Sequence, residues 1–197
     1  GIPFNEIYND KFKNGLLLPE LLNKKQLINL LNQWFAVREE SMIKVGDELP
    51  QGILRTKTAT IHELKTDEMF SGKKVVLFSL PGAFTPTCSA KHLPGFKNLY
   101  QDIIDKGVDK IMCFAVNDPH VMKAWAEQND VFGKIEMISD PDASYTKEIG
   151  LDFYNPHMGI RSVRFAMIIE NKVITHLFVE EPGVFDVSSA ENIIKHL

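Results

Sequence analysis

The sequence predicts an α/β protein built on a mixed central sheet with helices on both faces. Three observations predict it. From Ile43 onward, short apolar runs of strand length alternate with segments of helical spacing. The last two strand candidates are separated by only two residues, which is hairpin geometry and adds an antiparallel pair to the sheet. The 197 residues, 44% hydrophobic and 24% charged, suffice for one domain with a full core and an appendage.

The strand candidates are Val75–Leu80, Ile111–Val116, Ile135–Ser139, Phe165–Ile169 and Val173–Val179. The helix candidates are Ser89–Lys106, bent at Pro94, then His120–Asn129, Ser144–Ile149 and Ser189–Leu197. Asn171-Lys172 joins the last two strands as a tight turn, because Asn tolerates the left-handed region such turns need. Ser188-Ser189-Ala190-Glu191 reads as a capping box for the final helix. Early alternation with a late hairpin is compatible with a thioredoxin-like α/β sandwich.

Residues 1–41 read as an N-terminal extension, and residues 42–197 as the main domain. Gly1–Phe4 are excluded from fold reasoning, since a start at Gly1 rather than Met reads as processed or engineered. Pro19–Phe35 predicts an amphipathic helix. Leu27, Leu30, Leu31, Trp34 and Phe35 recur at helical spacing, opposite Asn23, Lys24, Lys25, Asn29 and Asn32. Residues 1–36 carry four lysines and three acids, with no arginine. One reading is the remnant of an organelle presequence; the preferred one is an arm that packs on the body or on a second chain.

A formal charge of −4 argues against nucleic-acid binding as the main task. No stretch approaches the roughly 20 apolar residues that span a bilayer, so no membrane partner is expected. Two cysteines cannot make a disulfide framework, which favours a reducing, intracellular setting. That setting is the cytoplasm, or a mitochondrion or plastid if the extension is a presequence remnant. The six histidines lack metal-ligand spacing and no C-x-x-C pair exists, so neither a metal nor a cofactor is expected.

The chemistry concentrates in Pro81-Gly82-Ala83-Phe84-Thr85-Pro86-Thr87-Cys88-Ser89, between a strand and a helix. A cysteine in a helix's first turn meets unpaired N–H groups that favour the thiolate. Ionisation alone does not make a fast enzyme. Lowering a free thiol's pKa by about 3 units raises the thiolate fraction about 30-fold but weakens the nucleophile roughly 20-fold. Other groups must hold the electrophile and stabilise developing charge. Thr85, three residues before Cys88, brings a hydroxyl that both donates and accepts. Pro81 shapes the loop and shields the sulfur. Arg161 and Arg164 each offer a permanent charge and a forked donor; taken alone, each reads first as a surface charge. His92, one turn after Cys88, either faces the sulfur or packs. Cys113, inside Ile111–Val116, reads first as a small apolar residue of a buried strand. Trp34 and Trp125 read as core or interface.

Other cysteine chemistries fail on spacing. A phosphatase pattern needs arginine where Pro94 stands, and no P-loop is present. A disulfide oxidoreductase would carry C-x-x-C at this corner, where the sequence reads Thr85-Pro86-Thr87-Cys88. One thiol beside one hydroxyl suits attack on peroxide oxygen better than dithiol exchange.

At these residues the chain resembles the peroxiredoxins, most closely the type II (peroxiredoxin-five) subfamily in its plant-type, glutaredoxin-dependent branch. The P-x-x-x-T-x-x-C motif is complete as Pro81, Thr85 and Cys88, followed by Lys91-His92-Leu93-Pro94-Gly95-Phe96. Val116-Asn117-Asp118-Pro119, Val121–Trp125 and Gly159–Phe165 extend the match. The resemblance implies that Cys88 is the peroxidatic cysteine, Thr85 orients the peroxide, Pro81 shields the site and Arg164 is the active-site arginine. It implies a thiol peroxidase acting on hydrogen peroxide and small alkyl hydroperoxides through a Cys88 sulfenic acid. Glutathione with glutaredoxin, or thioredoxin, would supply the reductant. Cys113 matches a second thiol of plant-type members. Joining it to Cys88 would need local unfolding, since bridged Cα atoms lie within about 7 Å, so one-cysteine turnover is expected. A homodimer is expected. The alternative is a peroxide-sensing redox relay or chaperone-like oligomer using the same cysteine.

Overall fold

The computed structural model describes residues 6–9, 12–17 and 24–197. The chain forms two compact units, Gly1–Met42 and Ile43–Leu197. In the first, β1 (Glu6–Asn9) pairs antiparallel with β2 (Phe12–Leu17), and α1 follows over Lys24–Ser41. Neither strand is part of the sequence expectation. Of the predicted helix, residues 19–23 and the side chains of Trp34 and Phe35 lie outside the described residues; the described part is helical from Lys24 and runs on to Ser41. Leu27, Leu30 and Leu31 are half-buried while Lys25, Asn29 and Asn32 are exposed, which is the stripe their spacing predicts.

The second unit is a seven-stranded mixed sheet. Its strands are β3 (Ile53–Lys57), β4 (Ile61–Lys65), β5 (Lys74–Ser79), β6 (Lys110–Ala115), β7 (Glu136–Ser139), β10 (Phe165–Glu170) and β11 (Val173–Val179). They lie in the order β11-β10-β5-β6-β7-β3-β4. The centre β5-β6-β7 is parallel, and β10 and β11 add antiparallel to its edge. The β10–β11 turn is the predicted one: Asn171 and Lys172 have φ of 47° and 73°. A separate hairpin joins β8 (Asp152–Asn155) to β9 (Gly159–Ser162).

The central strands are buried on both sides, as parallel strands covered by crossover helices must be. On one face Val76, Phe78, Ile111, Cys113, Ala166 and Ile168 share a cluster with residues of the helical segments, Phe96 and Trp125 among them. Phe78 stacks on Phe96 with ring centroids 4.0 Å apart. Each such fully buried side chain contributes roughly 1.5–3 kcal/mol. On the other face Phe114 meets the ring of Tyr145 from α6 (Ser144–Glu148). The remaining helix of this layer, α2, spans Thr66–Phe70 and buries Phe70.

Three local expectations are corrected. The helix after Cys88 is a π-helical turn, Cys88–His92, followed by α3 (Leu93–Asn98) and α4 (Tyr100–Asp105). It breaks at Leu99, not at Pro94. Leu93 N–H bonds back to Cys88 C=O, five residues away, so Pro94 falls in the first turn of α3, where a missing N–H costs nothing. The final helix, α7 (Ala190–Ile193), is capped by Ser189, whose hydroxyl oxygen accepts from Asn192 N–H; Ser188 is buried and its hydroxyl serves Glu180 instead. Helix α5 (Pro119–Gln128) starts one residue before its predicted bound, with Asp118 accepting from His120 and Val121 N–H.

Candidate active site

Strand β5 ends at Ser79, and the chain crosses the end of the sheet as Leu80–Thr87 before the π turn begins. Short bonds fix this crossing. Ala83 N–H donates to Asn117 Oδ1 at 3.0 Å, which ties the loop to the end of β6. Thr85 Oγ1 donates to Gly82 C=O at 2.8 Å, and Ser89 N–H donates to Thr85 C=O at 3.0 Å. Phe84 takes φ of 65° and is half exposed. A bulky residue in that left-handed region is strained, a feature that concentrates at functional sites.

Cys88 opens the π turn with none of its surface exposed. Its Sγ accepts from Arg164 Nη2 at 3.3 Å. The same guanidinium donates through Nη1 to His92 Nδ1 at 2.9 Å. Arginine has no acceptor, so His92 Nδ1 carries the lone pair and the ring proton sits on Nε2. That N–H donates to Ser188 C=O at 3.1 Å. His92 is wholly buried, and its pKa is lowered to about 3, chiefly by burial and then by the Arg164 charge. The imidazole is therefore neutral. Phe185 packs against it at 5.1 Å between ring centroids and lies 5.7 Å from the Arg164 guanidinium carbon.

Of the two candidate arginines, only Arg164 meets the sulfur. Arg161 Nη1 donates to Val116 C=O at 2.7 Å and its Nε to Met158 C=O at 3.0 Å, so it braces the end of β6 against β9. The Thr85 hydroxyl hydrogen is turned to Gly82 C=O, which leaves its oxygen lone pairs as acceptors. Pro81 is half-buried at the start of the loop. Cys113 is buried in β6, opposite Phe78 in register. Burial and then the neighbouring Cys88 push its thiol well above the ordinary range. Both cysteines are free. No group of three or more metal-ligating side chains occurs among the described residues. A cavity of about 480 Å³ at the opposite ends of β6 and β7, bordered by Lys110 and Phe132, contains none of these groups.

A family profile described as Redoxin matches residues 44–194. Peroxiredoxin-2B of Arabidopsis thaliana is 43% identical over 164 residues, which cover 79% of this chain and 98% of the relative. The chain belongs to the peroxiredoxin family. Its fold is the thioredoxin-like one of that family, and the protein is a thiol peroxidase, an oxidoreductase acting on peroxide. Among solved peroxiredoxins, reduced Prx3 in complex with H2O2 from Vibrio vulnificus superposes with a TM-score of 0.77 at 47% identity, covering 79% of this chain and 99% of that one. The Plasmodium falciparum antioxidant protein, a 1-Cys peroxiredoxin, gives 0.74 at 32% identity, over 78% of this chain and 98% of that one.

Other neighbours of the site in this peroxiredoxin leave no mark in the sequence. Asn117, between β6 and α5, gives no sign of its bond to Ala83 N–H. Glu180, Phe185 and Ser188 reach the site from a segment about a hundred residues downstream, and no spacing rule links them to Cys88. No helix among the described residues is long and apolar enough to cross a membrane.

Proposed function

We propose that Cys88 is the peroxidatic thiolate and that hydrogen peroxide and small alkyl hydroperoxides are its substrates. The observation that carries this reading is the 3.3 Å bond from Arg164 Nη2 to Cys88 Sγ. It sets a permanent charge beside the one sulfur placed at a strand-to-helix corner. The sulfur attacks the nearer peroxide oxygen; an S–O bond forms, the O–O bond breaks, and the departing oxygen leaves as water or alcohol after taking a proton. The freed lone pairs of Thr85 Oγ1 suit it to accept from the peroxide O–H, and Arg164 suits the negative charge that develops on the leaving oxygen. Pro81 closes the loop against water. The H2O2 complex of the Vibrio vulnificus relative supports the substrate assignment.

The resulting sulfenic acid condenses with an external thiol to a mixed disulfide and water, and a second thiol releases Cys88. Glutathione with glutaredoxin is the proposed donor, with thioredoxin the second choice. Two features support a one-cysteine cycle: Cys113 is buried and held as a thiol, and the similar Plasmodium falciparum antioxidant protein is a 1-Cys peroxiredoxin. The protein acts inside the cell, in the cytoplasm or an organelle, as a homodimer. The exposed pair Tyr154 and Ile160, directly opposite across β8–β9, and exposed Phe84 supply apolar surface for a second copy.

Steady-state peroxide consumption tests the reading. Wild type should turn over with glutathione plus glutaredoxin, faster than with thioredoxin plus its reductase, and Cys88→Ser should be inactive with both. Full activity of folded Cys88→Ser would sink it.

A further inference from the structure

We infer that Glu180 is a positioning residue for the Cys88–Arg164 pair, acting through the loop that follows it and through His92. The inference rests on the reading of Cys88 and Arg164 given above. Glu180 is a buried carboxylate with no ion pair among the described residues. Its Oε1 accepts three hydrogen bonds instead: from Asp186 N–H at 2.6 Å, Ser188 N–H at 2.8 Å and Ser188 Oγ at 2.8 Å. Burial pushes its pKa up, but those donors prevail and hold the group below the ordinary carboxylate value.

The bonds close a ring. Glu180 N–H donates to Arg164 C=O at 2.9 Å. The Glu180 carboxylate folds the chain back so that Ser188 C=O faces His92 Nε2. That carbonyl accepts only from a protonated Nε2, so it selects the tautomer whose Nδ1 is an acceptor. Arg164 Nη1 then has one place to donate, and Nη2 is left aimed at Cys88 Sγ. The same fold-back lays Phe185 against both His92 and the guanidinium. Without the carboxylate the N–H groups of Asp186 and Ser188 lose their acceptor, the Ser188 carbonyl drifts, and the imidazole is free to turn over. A ring turned over presents Cδ2–H to Arg164, and the other tautomer presents Nδ1–H, where the guanidinium needs an acceptor. The charge stays, but the fork no longer points at the sulfur.

The test uses the full chain with Glu180→Ala and Glu180→Gln. Two readouts are taken: the stopped-flow rate of Cys88 oxidation by hydrogen peroxide, and the His92 tautomer from ring 15N shifts. In Glu180→Ala the rate should fall about tenfold or more, the scale of one positioning hydrogen bond in a transition state, and His92 should become a tautomer mixture. Glu180→Gln keeps a carbonyl acceptor and should fall between the two. Should Glu180→Ala not fold, Glu180→Gln and Ser188→Ala carry the same readouts, with Val184→Ala in the exposed part of the loop as an unaffected control. Wild-type rates in the folded variants overturn the inference. So does a slower rate with the His92 tautomer unchanged, which would make Glu180 merely structural. Peroxide consumption by Cys88→Ser, by contrast, defeats the reading of the site and not the hydrogen-bond ring.

Discussion

Arg164 splits its two terminal nitrogens between His92 Nδ1 at 2.9 Å and Cys88 Sγ at 3.3 Å. One planar fork thus reads an imidazole and a sulfur at once. Lysine offers a single point charge on a flexible stem and cannot serve both directions. Arg164→Lys should therefore retain the fold but lose about 10²–10³ in the rate of peroxide reduction. Single-turnover oxidation of Cys88, with circular dichroism as the control for folding, checks it.

Arg161 should behave in the opposite way. Its bonds to the Val116 and Met158 carbonyls hold backbone, not substrate. Arg161→Lys loses one of the two and should destabilise the protein by about 1–2 kcal/mol. The peroxidase rate of the folded variant should change far less than in Arg164→Lys. Urea unfolding alongside the peroxidase assay separates the two arginines.

The buried neutral His92 predicts acid lability. Its folded pKa is about 3, against about 6.5 in an unfolded chain. Between those values the unfolded state binds a proton that the folded state refuses, so stability rises with pH across the window and falls on acidification. Unfolding free energy should drop by up to roughly 1.4 kcal/mol per pH unit from this group below about pH 6. His92→Gln should flatten that part of the profile. An unchanged slope would mean that other groups set it.

Cys113 is a packing residue on the proposed cycle. Cys113→Ala trims a buried side chain from β6 and should cost about 1 kcal/mol of stability. Turnover with glutaredoxin should stay close to wild type. Loss of turnover in a folded Cys113→Ala would restore it as a resolving thiol.

What the sequence made legible follows what the fold buries. Strands β5, β6 and β10 are apolar runs because both faces are covered, and they were found within a residue or two. Strands β3 and β4 are the last two of the sheet and, Leu54 apart, have exposed or half-buried side chains, so Ile53–Lys57 and Ile61–Lys65 carry little apolar signal. The β8–β9 hairpin is equally mixed in polarity. At the site, Pro81, Thr85 and Cys88 share one loop and were readable as a motif. Arg164 could be told from Arg161 only through the family pattern, because two arginines three residues apart look alike until one is seen to face a carbonyl. The Glu180 ring was out of reach, since its members meet only once β10, β11 and the π turn have assembled.

Arg164 has no carboxylate within ion-pair distance among the described residues. On the proposed chemistry its sole counter-ion is the sulfur it helps to activate. On that chemistry each oxidation converts the anion into a neutral acid and leaves the half-buried guanidinium without a counter-ion. The unmatched charge would then favour a reductant that brings a negative charge of its own.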